Sequence, residues 1–144
     1  MTAPELILAA LDDDDLKIIS ARLQDAVTRV GEIVFLPKSH RFAAVFNRYR
    51  WETEDGTRVR AGLSLEGVKA AAARNIRRDD PEAVLCLLAI RFHAAEADSP
   101  GGAIELVFAG GGSMRLEVEC IDATLSDLGE PYPARAQPIH EGER

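Results

Sequence analysis

The sequence predicts an α+β domain, an N-terminal helix packed on a strongly twisted, mostly antiparallel sheet of six or seven strands. Three observations lead there. One segment repeats its apolar residues at helical spacing, and several others repeat them at every second residue. Turn signals lie close enough together for hairpins, with no room for a βαβ rhythm. Several strands are apolar on both faces, so the sheet is expected to curl into a partial barrel, with a pleckstrin-homology-like barrel as the alternative.

The helix is placed at Asp13–Val27. Leu16, Ile19, Leu23 and Val27 recur in steps of three, four and four. The run Asp12–Asp15 suits the positive end of the helix dipole, and one of these carboxylates can cap a free amide. Gly31 bars further propagation. The stretch 32–36 is short, β-branched and aromatic, and Pro37 stops it. Arg41 to Glu52 reads as a long strand, paired with it across the turn Lys38-Ser39-His40. Glu54-Asp55-Gly56-Thr57 is a second turn, because Asp-Gly tolerates positive φ. Arg58 to Leu65 then alternates, and Glu66-Gly67 turns again. Val68 to Ile76 is alanine-rich but bounded and short, and is read as a strand over its helical propensity. Val84 to His93 reads as a central strand. Ile104, Leu106 and Phe108 alternate, as do Met114, Leu116, Val118 and Cys120, on either side of Gly110-Gly111-Gly112. Leu125 and Leu128 suggest a last short helix or strand. The domain is placed at 1–129, and the prolines at 131, 133 and 138 imply an extended tail over 130–144.

Composition narrows the function. Lys and Arg total 17 against 24 Asp and Glu, for a net charge of −7. That balance lacks the basic footprint of a nucleic-acid binder. No apolar run approaches a membrane span. Cys86 and Cys120 lie in apolar runs without Cys-x-x-Cys spacing and read as buried free thiols, a disulfide between neighbouring strands being the other reading. The amino terminus shows no basic region or cleavage site, so a cytoplasmic location is expected.

With the elements placed, the chain resembles an uncharacterised bacterial family, the domain of unknown function DUF2948. The resemblance runs from Leu16 to about Gly129. It rests on Leu23-Gln24-Asp25-Ala26-Val27, Arg41-Phe42, Asn47-Arg48-Tyr49-Arg50-Trp51-Glu52, Val84–Ile90 and Val118-Glu119-Cys120-Ile121. It implies one full-length domain and supports the strand at Val68–Ile76, where the family looks richer in valine. It implies no activity, ligand or catalytic residue.

The only basic island, Arg41 to Arg60, holds five arginines against three acids. On a strand, Tyr49 and Trp51 share a face with Val45, while Arg48 and Arg50 share the other with Glu52 and Glu54. An odd-length loop would set Trp51 opposite Val59 or Ala61, bury the aromatics, and gather Arg48, Arg50, Arg58 and Arg60 outside. A two-residue loop would mix core and surface on both faces. Because a one-residue slip reverses every side chain, burial is expected to select the odd register. The resulting guanidinium cluster would bind an anionic small molecule or an acidic protein segment. The plainer reading makes it a set of solvated cross-strand ion pairs.

Other constellations are weaker. The glycines at 110–112 precede a strand and lack the lysine of a phosphate loop. Gly62-Leu63-Ser64-Leu65-Glu66 has Glu66 where a nucleophile elbow needs glycine. His40, His93 and His140 have no metal-ligand spacing, so no metal or other cofactor is expected. A His–Cys pair meeting in space would need an accessible thiolate, whereas both cysteines read as inward-facing. Glu105, Glu117 and Glu119 would form either an acidic site or a plain hydrophilic face. The expectation is an uncharacterised binding or adaptor module that reads an anionic partner. The alternatives are a small enzyme with dispersed acid and base residues, and a scaffold domain that self-associates through an exposed strand or Trp51.

Overall fold

A computed structural model describes residues 6–53 and 55–134. Its one α-helix, α1 (Asp13–Arg22), begins where the acidic run predicts. The Asp15 amide donates to the Asp12 carboxylate at 2.8 Å, and Leu16, Ile19 and Leu23 are buried. The helix is shorter than expected. Asp25 adopts a left-handed φ of 63°, which ends helical propagation. The chain then enters a strand, so Val27 lies in a sheet and not on a helix.

Among the described residues eleven strands form the sheet, not six or seven. They are β1 (Ile7–Ala10), β2 (Val27–Arg29), β3 (Ile33–Leu36), β4 (Arg41–Tyr49), β5 (Thr57–Glu66), β6 (Val68–Arg74), β7 (Val84–Ala94), β8 (Gly102–Phe108), β9 (Ser113–Val118), β10 (Ala123–Asp127) and β11 (Tyr132–Pro133). The order is β1-β10-β5-β4-β2-β7-β8-β9-β6, with β11 added to β5 and β3 to β4. Every pairing is antiparallel. The sheet is open, with β1 and β6 at its ends, which corrects the expected partial barrel. The ambiguous alanine run is a strand, as its boundaries predict, and Leu125 lies on one too.

Three of the strands missed from the sequence, β1, β2 and β11, have only two to four residues. They carry too little periodicity to be read locally and exist because longer neighbours supply their hydrogen-bond partners. β11 pairs Tyr132 with Arg58 and Pro133 with Thr57. The sheet therefore continues past Gly129, where the domain was expected to end. The remainder of the expected tail, 135–144, lies outside the described residues.

One apolar core joins the sheet and the helix. Phe42, Phe46, Leu63 and Leu65 from β4 and β5 meet Leu87, Ile104, Leu106, Phe108 and Leu116, together with Leu16 and Ile19 of α1 and Leu23 at its C-cap. The alternation of β8 and β9 is as the sequence predicts, except that Cys120 lies beyond β9 and is exposed; Cys86 is half-buried, and both thiols are free. The helix also bonds directly to β7: a bulge separates Leu87 from Ala89, and beyond it the Ile90 amide donates to Ser20 Oγ at 2.8 Å. Among the described residues, no helix is long and apolar enough to cross a membrane.

Candidate functional site

The four arginines expected together are divided between two faces. β4 and β5 pair Arg48 with Val59, Tyr49 with Arg58 and Asn47 with Arg60. Arg48 therefore shares its face with Phe46, Ala61 and Val59, which are all core. Arg58 and Arg60 project from the opposite side. The expected register, with Trp51 opposite Val59 or Ala61, is not formed, because β4 ends at Tyr49 and Trp51 lies in the connection to β5.

That register buries two charges, and the structure shows how they are balanced. Arg48 is fully buried. Its Nε and Nη2 donate to the two oxygens of Asp127 at 2.9 and 3.0 Å. Its Nη1 and Nη2 donate to Glu52 at 3.0 and 2.7 Å. Asp127 also accepts the Leu6 amide at 3.0 Å, so the same carboxylate ties down the entry to β1. Burial alone would lower the Arg48 pKa, but the hydrogen bonds and charges of Glu52 and Asp127 outweigh it and raise it. For Glu52 burial acts upward, and Arg48 nevertheless holds the carboxyl below its ordinary value, assisted more weakly by the charge of Arg22. Arg50 is also buried; its Nη1 donates to Thr57 Oγ1 at 3.0 Å and to Asp55 at 3.2 Å. The Asp55 carboxyl is held low by the Thr57 hydroxyl first and the Thr53 hydroxyl second. These side chains are bound internally and order the connection between β4 and β5. Glu54, the remaining acid expected here, lies outside the described residues.

The outer face is different. Arg60, Asn47, Val27 and Cys86 form one row across β5, β4, β2 and β7. Arg29 lies two residues along β2 and therefore points to the same side. These elements bound a polar cleft of about 190 Å³ lined by Thr28, Arg29, Glu32, Asn47 and Arg60. Glu32 enters from the 3-10 turn Val30–Glu32. Arg60 approaches Glu32 at 3.4 Å and Arg29 approaches Glu82 at 3.5 Å. Both contacts are long beside the 2.7 Å of Arg48 to Glu52. Arg58 completes the face. Its Nη1 donates to the Asn47 carbonyl at 3.2 Å, and its guanidinium lies 5.9 Å from the centre of the Tyr49 ring. Tyr49 in turn meets Trp51 edge-on at 4.7 Å, and the half-buried Trp51 donates its indole N–H to the Gln24 carbonyl.

Sequence reasoning thus found Arg58 and Arg60 but missed Arg29, which lay between the end of the expected helix at Val27 and Gly31 and reaches this face only through the three-residue β2. The other candidates remain apart. His93 Nε2 lies 3.1 Å from Glu105 and Arg115 pairs with Glu117 at 2.8 Å, so the expected acidic patch is interleaved with a histidine and an arginine. Burial first, and the charge of Asp25 second, push the Cys86 thiol up, the opposite of nucleophile activation. Among the described residues, no group of three or more His, Cys, Asp or Glu side chains is placed to hold a metal ion.

The model of a family described as "Protein of unknown function (DUF2948)" matches residues 6–140. No curated protein and no solved structure matches the chain.

Proposed function

We propose, for a chain that belongs to the DUF2948 family, a binding module whose outer sheet face takes an anionic group, a carboxylate or phosphate of a small molecule or of an acidic partner segment. The contacts fall to Arg29 and Arg60, with Asn47 as a neutral donor and Arg58 beside them. Arg48 and Arg50 are excluded from the contact set because they are buried against internal acceptors.

One observation supports this reading above others. Two half-exposed guanidiniums flank a polar cleft, and their own acidic neighbours engage them at 3.4 and 3.5 Å. A charge-assisted bond of good geometry lies near 2.7–2.9 Å. An incoming oxyanion can therefore gain more from these donors than Glu32 and Glu82 now do. Arginine's planar fork makes the gain specific to carboxylates and phosphates.

The test is a thermal melt against acetate, citrate, phosphate, pyrophosphate and a polyglutamate peptide. At least one of them raises the midpoint, since a ligand bound only by the folded state stabilises it. Arg29→Ala and Arg60→Ala each remove most of that rise. A flat response across the panel, or a rise unaltered in the double variant, refutes the proposal.

A further inference from the structure

We infer that the apolar groove beneath the Val30–Glu32 turn is a second binding site, for a small molecule with an aliphatic or aromatic body and a carboxylate head. This does not rest on the anion cleft, which lies on the other side of the same turn. The groove encloses about 300 Å³ and is lined by Ile33, Phe35, Phe42, Ile76 and Met114. Phe42 is buried and forms the floor, while the others are half-buried walls. The end of the groove at Gly31 is fixed by backbone contacts. The Gly31 amide donates to the Pro81 carbonyl at 2.9 Å, and Val30 donates to the Ala83 carbonyl at 3.0 Å. A Cβ on residue 31 would stand 3.1 Å from both the Pro81 carbonyl oxygen and its Cβ. Glycine is what lets these two segments close one end.

The chemistry of the ligand follows from the lining. The volume is at the lower end of the about 300–1,000 Å³ typical of small-molecule clefts, so the body is short. Among the described residues, Arg78 is the one charged residue on the lining; it is exposed, and its guanidinium makes no ion pair or hydrogen bond with them. A wholly apolar ligand would leave that donor unused, and an amine would be repelled by it. A carboxylate matches its planar fork. The single charge of a carboxylate matches the single guanidinium on the lining.

The probe is sodium octanoate, titrated by calorimetry and by ligand-observed NMR, with octanol and octylamine as comparisons. Octanoate binds, octanol binds several-fold more weakly, and octylamine does not bind. Arg78→Ala lowers octanoate to the level of octanol, and Met114→Trp, which fills the groove, abolishes both. Arg78 is a surface side chain, so its variant folds even if Met114→Trp does not. Absence of octanoate binding to the native protein overturns the inference, as does equal affinity in Arg78→Ala. Loss of binding in Arg29→Ala or Arg60→Ala, with Arg78→Ala unaffected, would place octanoate in the anion cleft and equally overturn it.

Discussion

Removing the Asp127 carboxylate is expected to be among the most damaging single changes in the chain. Asp127 is 4% exposed and receives two charge-assisted hydrogen bonds from Arg48, itself 0% exposed, plus the Leu6 amide. In Asp127→Ala the guanidinium keeps Glu52 and a long 3.5 Å contact to the Tyr49 carbonyl while remaining out of water. Hydrogen bonds to charged groups contribute about 1.5–3 kcal/mol each, and breaking a buried pair from one side costs about 3–5 kcal/mol. The expected loss is therefore about 3–5 kcal/mol, a large share of the roughly 5–15 kcal/mol a domain possesses. Urea unfolding measures it, and hydrogen exchange in β1 accelerates in parallel because the Leu6 anchor is gone. Arg48→Met alone is similarly damaging, since it strands Asp127. The double variant Arg48→Met, Asp127→Leu is less damaging than the sum, because it removes both buried charges while Glu52, 21% exposed, turns to solvent. An Asp127→Ala cost below about 1 kcal/mol, or simple additivity in the double variant, would refute the claim that Arg48 is buried and bound from both sides.

The remaining predictions are briefer. Glu52 has a folded pKa below the 4.5 of a free glutamate, burial being outweighed by Arg48, so its stabilisation is present above that pH and disappears as pH falls through the folded value. Urea unfolding at neutral pH and near pH 3 should show a smaller acid loss in Glu52→Gln than in the parent protein; equal losses would contradict this. Iodoacetamide followed by mass spectrometry should label exposed Cys120 well before Cys86, which is half-buried with its thiol pushed up. A Cβ on Gly102 would overlap the His93 carbonyl and press on the Ala94 and Ala95 backbone, so Gly102→Ala should cost about 1–3 kcal/mol by thermal melt; an unchanged midpoint would show that β7 and β8 can separate there.

By itself the sequence determined whatever depends on neighbours along the chain. The Asp12 cap and the buried stripe of Leu16, Ile19 and Leu23 are written within one helix and its two caps, and the alternation of Ile104, Leu106 and Phe108 within one strand. Gly67 marked the start of the alanine strand correctly although its composition favoured helix, whereas the strand ends at Arg74, before the left-handed Asn75 and two residues short of the expected end. Tertiary structure decided the rest. The face on which Arg48 and Arg50 emerge depends on a register of period two, where a shift of one residue reverses every side chain. Apolar counting favoured the register that left them outside. The actual one is compensated by Asp127, 79 residues from Arg48 in sequence, which no local pattern reveals. The outer site follows from the same fact. Arg29 joins Arg58 and Arg60 only because β7 pairs with the three residues of β2 and β4 pairs with it at Val27. Charge partners and short strands are set by what lies across the fold, whereas period and capping are set by what lies next along the chain.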